Sequence, residues 1–501
     1  MDFIRSVGQD IAHGVTRGYD AVSHAADTVA HDVGHAASTA AHDVGHAAST
    51  AAHDVGHAAG TAAHDVGQAG ADVVHVGEDA VHIVTSATPQ RVEFAFQHYV
   101  EGSLDSHHAA SSGELSPEAQ KLLGNSAAGG NPAARASLSW DALTRAMGEP
   151  GSSMTDTSAN DKPPTAWSLS QAMTASLDQA KQTGDYSDFN KLTKTLQNYR
   201  SPSGGYAPDP WPASQVGQCY YDDNSWIGLA FMQAYNQTGK KQYLQQAQDT
   251  FKFLRTGMVN GGLEWHQGQN PPTWNTCTEG AASELALQLH EATGKKGQND
   301  QYLSFANQLT QNMNQNLRQP NGLYKDHVYA DPALNEQLQK QAQDTSNPEL
   351  AAQAQKKLHS QNAIYSYNQG TPIGANVALY KITGDHKYLD QAQQTAGSSL
   401  DYLGQKDRLW KEPGSFNAIY FRNLMQLNGV APDSRYTQAL NDYAGQVWED
   451  GRDPSTGLFN QNGIGLYDNA GKGQGDLLDQ AGFTQIFALE AWPSQDLGQL
   501  T

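Results

Sequence analysis

QTGKKQYL, residues 237–244, is one copy of a turn that returns as QTGDYSDF (182–189), ATGKKGQNDQYL (292–303) and ITGDHKYL (382–389). Gly184, Gly239 and Gly294 are spaced by 55 and 55 residues, and Gly384 follows after 90. A glycine just past a helix supplies the left-handed C-cap, and the aromatic-Leu pairs Tyr243-Leu244 and Tyr388-Leu389 open the apolar face of a following helix. Each unit therefore reads as a helical hairpin of about 50 residues. Six such hairpins fit into residues 165–501, which predicts an all-α (α/α)6 toroid rather than a four-helix bundle. Regular strand alternation is missing, so sheet folds are disfavoured. Eleven helices can be counted, the last over Asp479 to Trp492, with Asn428-Gly429 as a fifth turn. The stretch from Trp140 to Met147 is a source for the twelfth. The acid- and Gln-rich insert at 330–357 predicts an extra, exposed helix pair.

Working outward, the chain divides into three: a repeat tail at 1–88, a linker rich in Ser, Gly and Pro at 89–164, and the helical domain at 165–501. HDVGHAASTAA begins at His31 and again at His42, and close variants begin at His53 and His64. Eleven residues make nearly three helical turns, so the tail is an amphipathic hendecad pattern. Its apolar face is mostly Ala. Gly34, Gly45, Gly56 and Gly67 each cost about 1 kcal/mol relative to Ala in a helix interior, which leaves the isolated helix marginal. The tail reads as a weakly helical or disordered stalk, or as a helix that forms on lipid, on a secretion component or on copies of itself. Histidines at i, i+4, such as His31 and His35, have a spacing that can hold a metal, but no carboxylate or Cys completes a site at fixed geometry and a solvated polar face is the better reading.

The formal charge of −21, from 52 acidic and 31 basic residues, repels phosphate backbones and excludes nucleic acid as a partner, while a neutral glycan is compatible with it. Cys219 and Cys277 are too few for a disulfide framework or a thiolate zinc site. No stretch approaches the roughly 18 to 20 apolar residues that span a bilayer. The first residues, MDFIRSVGQDIAHGV, lack the apolar core of a secretory signal.

Chemistry concentrates in CYYDDNSWIGLA, residues 219–230, where two acids and three aromatics open a helix. Glycoside hydrolysis needs one carboxyl that donates a proton and one carboxylate that attacks or activates water. Asp222 and Asp223 offer such a pair, and close like charges push one pKa upward. Helix capping is the competing reading, because Asp before a helix is a common cap and favours the dipole. GGLEWH (261–266), WNTCTEG (274–280) and YSYNQGT (365–371) also precede helices and combine aromatics, which stack on pyranose rings, with amides, which bond hydroxyls.

Taken in order, YYDDNSWIGLA, GGLEW, NTCTEG, YSYNQGTPIGANVALYKITGDHKYL and FNAIYFRNL resemble glycoside hydrolase family 76, the α-1,6-mannanases and related enzymes, over about residues 165–495. The resemblance implies the (α/α)6 fold, retaining cleavage of α-1,6-mannan, Asp222 as nucleophile and Asp223 as acid/base. It puts Tyr367, Asn368, Gln369 and Gly370 along the cleft, with Tyr221, Asn224 and Asn275 as further substrate contacts and Trp226, Trp265 and Trp274 as stacking residues. It implies no metal or organic cofactor, a mannan-like polysaccharide as partner and an extracellular location. A transglycosidase using the same acids and a non-catalytic glycan-binding protein are the alternatives. Cys277 reads as a buried free thiol.

Overall fold

The computed structural model describes residues 131–151, 153–156, 162–210, 218–294, 300–405, 407–453, 456–459, 476–493 and 497. The hendecad tail and residues 89–130 lie outside them. In chain order the helices are α1 Pro132–Met147, α2 Ala166–Thr183, α3 Ser187–Leu196, α4 Tyr221–Thr238, α5 Lys241–Leu254, α6 Thr276–Thr293 and α7 Gln301–Asn316. There follow α8 Pro332–Ala342, α9 Pro348–Gln361, α10 Tyr367–Thr383, α11 His386–Leu403, α12 Gly414–Val430, α13 Ser434–Gln446 and α14 Leu477–Glu490.

Six of them close a ring. α2 packs on α4, α4 on α6, α6 on α10, α10 on α12, α12 on α14, and α14 returns to α2. A second layer surrounds it: α3, α5, α7 and α11 each pack on the inner helix they follow, and α13 lies against both α12 and α14. This is the (α/α)6 toroid that the hairpin spacing predicts. The two layers differ as their environments require. Inner helices are buried almost continuously, as in α12 from Gly414 to Leu427, because neighbours cover them on every side. Outer helices bury mainly one stripe; in α5 Tyr243, Ala247, Thr250, Phe251 and Leu254 follow the i, i+4, i+7 pattern of a helix with one wet face, and Phe253 is buried beside it.

The turns behave as the sequence predicts. Gly184, Gly239, Gly294 and Gly384 all adopt the left-handed conformation, with φ of 78°, 68°, 60° and 72°. Side chains cap the other ends: Thr165 accepts from Ser168 N–H, Asp300 from the amides of Tyr302 and Leu303, and Asp385 from Lys387 N–H. The twelfth helix of the toroid is α1, which packs on α14 and α2 and includes the Trp140–Met147 stretch. Trp140 Nε1 donates to Asp188 Oδ2 at 3.0 Å, and Arg135 lies 3.5 Å from Glu490. The insert forms α8 and α9, which pack on each other and bury few side chains, as expected of an exposed pair.

Two short antiparallel ladders stand outside the sequence expectation. β1 Met258–Val259 pairs with β2 Gly262–Leu263, and β3 Thr273–Asn275 pairs with β4 His327–Tyr329 in the register Thr273 to Tyr329. Strands of two or three residues are too short to carry an alternating signal. Among the described residues no helix is long and apolar enough to cross a membrane.

Candidate active site

One buried cluster contains Trp167, Trp226, Cys277, Tyr367, Phe416 and Leu478, a residue from the first two turns of each inner helix. The six inner helices therefore all begin at one end of the toroid. Their N-termini bring positive partial charge to that mouth, where a carboxylate is stabilised.

Asp222 and Asp223 stand there, in the first turn of α4, and are 1% and 0% exposed. They occupy opposite environments. Asp222 Oδ2 accepts from Trp265 Nε1 at 2.9 Å and from the Cys277 thiol at 3.4 Å. Its Oδ1 accepts the Asp223 amide N–H at 3.1 Å. For Asp223, burial drives the pKa well above the usual carboxylate range, and the negative charge of Asp209 adds to the rise. The pair thus combines a carboxyl group held by three donors with one whose hold on a proton is strengthened by burial. Cys277 is a buried free thiol; burial first, then the charges of Asp222 and Asp326, push its pKa well above the ordinary thiol value, so it remains a donor.

Chain geometry secures this arrangement. Tyr221 N–H donates to Trp265 O at 2.9 Å, and Tyr220 bridges His266 in antiparallel fashion, so the start of α4 is sewn to the loop that carries Trp265. Asn224 lies directly beneath, with Nδ2 donating to Tyr206 O at 3.0 Å and Tyr220 O at 2.7 Å, and Oδ1 accepting from Tyr206 N–H at 2.7 Å.

The remaining sequence candidates are distributed unevenly. Trp265 is half-buried, with its ring edge-on to Tyr220 at 5.1 Å. Trp226 and Trp274 are 6% and 5% exposed; Trp274 donates to Val259 O at 3.0 Å within the packing around β1 and α7. Tyr221 stacks on Phe253 with centroids 4.9 Å apart. Tyr367 is buried against Phe416 and Trp167. Gln369 is engaged with backbone on both sides, accepting from Tyr324 N–H at 2.8 Å and donating to the Tyr324 and Tyr365 carbonyls at 2.9 Å each. At Gly370 a Cβ would meet Tyr420 Cα at 2.8 Å, so glycine lets α10 approach α12. Asn275 accepts from Thr273 Oγ1 at 2.6 Å.

Asn368 leads to a residue that the sequence did not single out. Its Nδ2 donates to Asp326 Oδ1 at 2.8 Å, and His327 Nδ1 lies 2.7 Å from Asp326 Oδ2. Asp326 O in turn accepts from Thr276 N–H at 2.9 Å, which ties this carboxylate to the start of α6 beside Cys277. Among the described residues, no group of three or more His, Cys, Asp or Glu is arranged to hold a metal ion.

The sequence profile of glycosyl hydrolase family 76 matches residues 142–495. Among solved structures, a family 76 α-mannanase of Bacteroides thetaiotaomicron is similar at TM-score 0.60 and 18% identity, over 74% of this chain and 98% of that one. An inactive α-1,6-mannanase variant from Salegentibacter sp., with two consecutive aspartates replaced by asparagine and α-1,6-mannotriose bound, is similar at TM-score 0.55 and 19% identity, over 72% and 99%. A family 76 mannosidase of B. thetaiotaomicron is similar at TM-score 0.56 and 20% identity, over 71% and 97%. Comparison with curated proteins returns no match.

Proposed function

Because the chain belongs to glycosyl hydrolase family 76, we propose that it hydrolyses α-1,6-linked mannan with retention of configuration, through Asp222 and Asp223. The observation that carries this reading is the contrast between the two neighbours: a carboxyl group fixed by three donors beside a buried one whose pKa burial and the charge of Asp209 raise. Such a divergence marks an acid/base assignment. The similar Salegentibacter mannanase, inactive when two consecutive aspartates are replaced, supports the same pair.

In the first step the Asp222 carboxylate attacks the anomeric carbon while Asp223 gives its proton to the departing glycosidic oxygen, forming a glycosyl ester and releasing the aglycon alcohol. Asp223, now a carboxylate, takes a proton from water as that water attacks the same carbon, and Asp222 leaves as the carboxylate. Trp265 Nε1 and the Cys277 thiol assist this departure, since both donate to the oxygen atom Oδ2 that regains charge. Trp265 is the stacking platform for a mannose ring. A polymeric substrate goes with action outside the cell.

The test is incubation of the full chain with linear α-1,6-mannan beside Asp222→Ala and Asp223→Asn. Short mannooligosaccharides from the native chain alone, with the first product appearing as the α-anomer by NMR, support the reading. A first product of β configuration would overturn retention, and products longer than the substrate would shift the second step to transglycosylation.

A further inference from the structure

The end of the toroid away from the aspartates is unusually polar. Asp178 of α2 is 1% exposed; it accepts from Gln233 Nε2 of α4 at 2.8 Å and is ion-paired with Arg422 of α12. Glu284 of α6, 5% exposed, feels the Arg422 charge. Arg422 Nε and Nη1 and Glu284 Oε1 find no hydrogen-bond partner among the described residues. A buried polar atom left without a partner costs about 1–3 kcal/mol, so these groups are expensive features for a sequence to keep as packing alone.

A cavity of about 310 Å³ meets them. All six inner strata contribute: Lys181 from α2, Gln237 from α4, Gln288 from α6, Lys381 from α10, Gln426 from α12, and Trp492 just beyond α14. Asp222 and Gln237 lie at opposite ends of α4, about 22 Å apart along a helix that rises 1.5 Å per residue, so this cavity is separate from the aspartate site.

The lining defines the ligand. Lys181, Lys381 and Arg422 face Glu284 and Glu291, with Asp178 bound to Arg422, so the lining sets three basic side chains against three acidic ones. Side-chain amides dominate what is left, from Gln233, Asn236, Gln237, Gln288 and Gln426. Each presents a donor and an acceptor in one plane, the complement of neighbouring hydroxyls. Burial raises the Glu284 pKa well above its ordinary value, against the opposing charge of Arg422. Trp492 adds an apolar ring, with Lys181 Nζ 5.4 Å from its centroid. The volume lies at the small end of ligand pockets, which begin at about 300 Å³.

We propose that this cavity is a second carbohydrate site, which binds one or two pyranose rings at the mouth opposite the aspartate pair. It does not depend on the mannanase reading, since its amides and charges are its own.

The experiment uses the full-length Asp222→Ala/Asp223→Ala chain, in which turnover is stopped, and follows mannose, mannobiose and glucose by saturation-transfer NMR, with inorganic phosphate followed by its ³¹P line width. Transfer to at least one sugar is expected, and Gln237→Leu/Gln288→Leu added to that chain is expected to weaken it tenfold or more. The same pair in the otherwise native chain leaves hydrolysis within about twofold of its rate, because neither residue is near the aspartates. No transfer to any sugar, transfer that survives the two leucines, or broadening by phosphate alone would each overturn the proposal. If the leucine pair lowers the melting temperature sharply, a crystal of the aspartate variant soaked in mannobiose decides: sugar density in the cavity supports the site, and a cavity without sugar refutes it.

Discussion

Replacing Glu412 by glutamine tests how burial sets the charge state near the mouth that holds the aspartate pair. Glu412 is 1% exposed, and its Oε2 accepts the Ser366 amide N–H at 2.6 Å, tying the segment before α12 to the residue before α10. Burial raises its pKa from 4.5 to about 8. Between those values the folded chain holds a proton that the unfolded chain has released. The stability slope is 2.303RT times the protons bound unfolded minus those bound folded, here close to minus one, or about −1.4 kcal/mol per pH unit. The contribution is fully present below pH 4.5 and is lost as pH rises through about 8. From pH 5 to pH 7 the native chain therefore loses about 2.7 kcal/mol through this group. Glutamine imitates the protonated carboxyl and keeps an acceptor for Ser366, so Glu412→Gln removes the slope. Urea unfolding of both chains at pH 5, 6 and 7 reads the difference directly: just under about 1 kcal/mol at pH 5 and rising by about 1.3 kcal/mol per unit in favour of the variant. A difference independent of pH would mean that Glu412 is ionised in the folded protein and that the reasoning fails.

Trp265→Phe keeps the ring against Tyr220 but removes the donor to Asp222 Oδ2; a hydrogen bond to a charged group is worth about 1.5–3 kcal/mol, so mannan turnover should fall roughly tenfold to a hundredfold. A loss carried by KM alone would assign the residue to stacking and leave Asp222 independent of it. Asp209→Asn removes the negative charge that helps raise the Asp223 pKa, so the alkaline limb of the pH profile of kcat/KM moves to lower pH. A limb that stays in place would show that Asp209 does not act on the proton donor. Asn224→Ala strips partners from the Tyr206 and Tyr220 backbone and should cost about 2–4 kcal/mol in urea unfolding; a loss under about 1 kcal/mol would contradict its place as a staple.

The fold was legible because its marks are local. A Thr-Gly pair closes a helix wherever it occurs, since the left-handed conformation at Gly239 or Gly384 is decided within one turn. Counting those turns amounts to counting hairpins. The helix α1 was harder to see because its surroundings read as linker, and only Trp140 and the apolar residues near it hinted at packing. Candidate site residues divide by the same logic of range. An amide matches a peptide group as well as a sugar hydroxyl, so nothing within residues 219–230 or 365–371 could reveal that Asn224 and Gln369 hold the backbone of Tyr206 and Tyr324. Asp326 was invisible for a related reason: it reaches the mouth because β4 pairs with β3, and that pairing joins segments far apart in the chain.

The aspartate pair shows where local reading ends. Two adjacent Asp residues at a helix start are equivalent in sequence, and capping explains them as readily as catalysis. Their difference comes from elsewhere: an indole 43 residues away and a thiol 55 residues away both donate to Asp222, while Asp223 turns into the protein beside the charge of Asp209. The N-cap residue Tyr220 makes no side-chain cap bond, and of the first-turn amides Asp222 Oδ1 takes that of Asp223 at 3.1 Å. The difference between the two aspartates is therefore tertiary, produced when the loop bearing Trp265 and the first turn of α6 close over one end of α4. If that closure assigns the roles, substitutions at Trp265 and Cys277 should alter the step in which Asp222 carries charge and leave protonation by Asp223 unchanged, a separation that leaving groups of different acidity would expose.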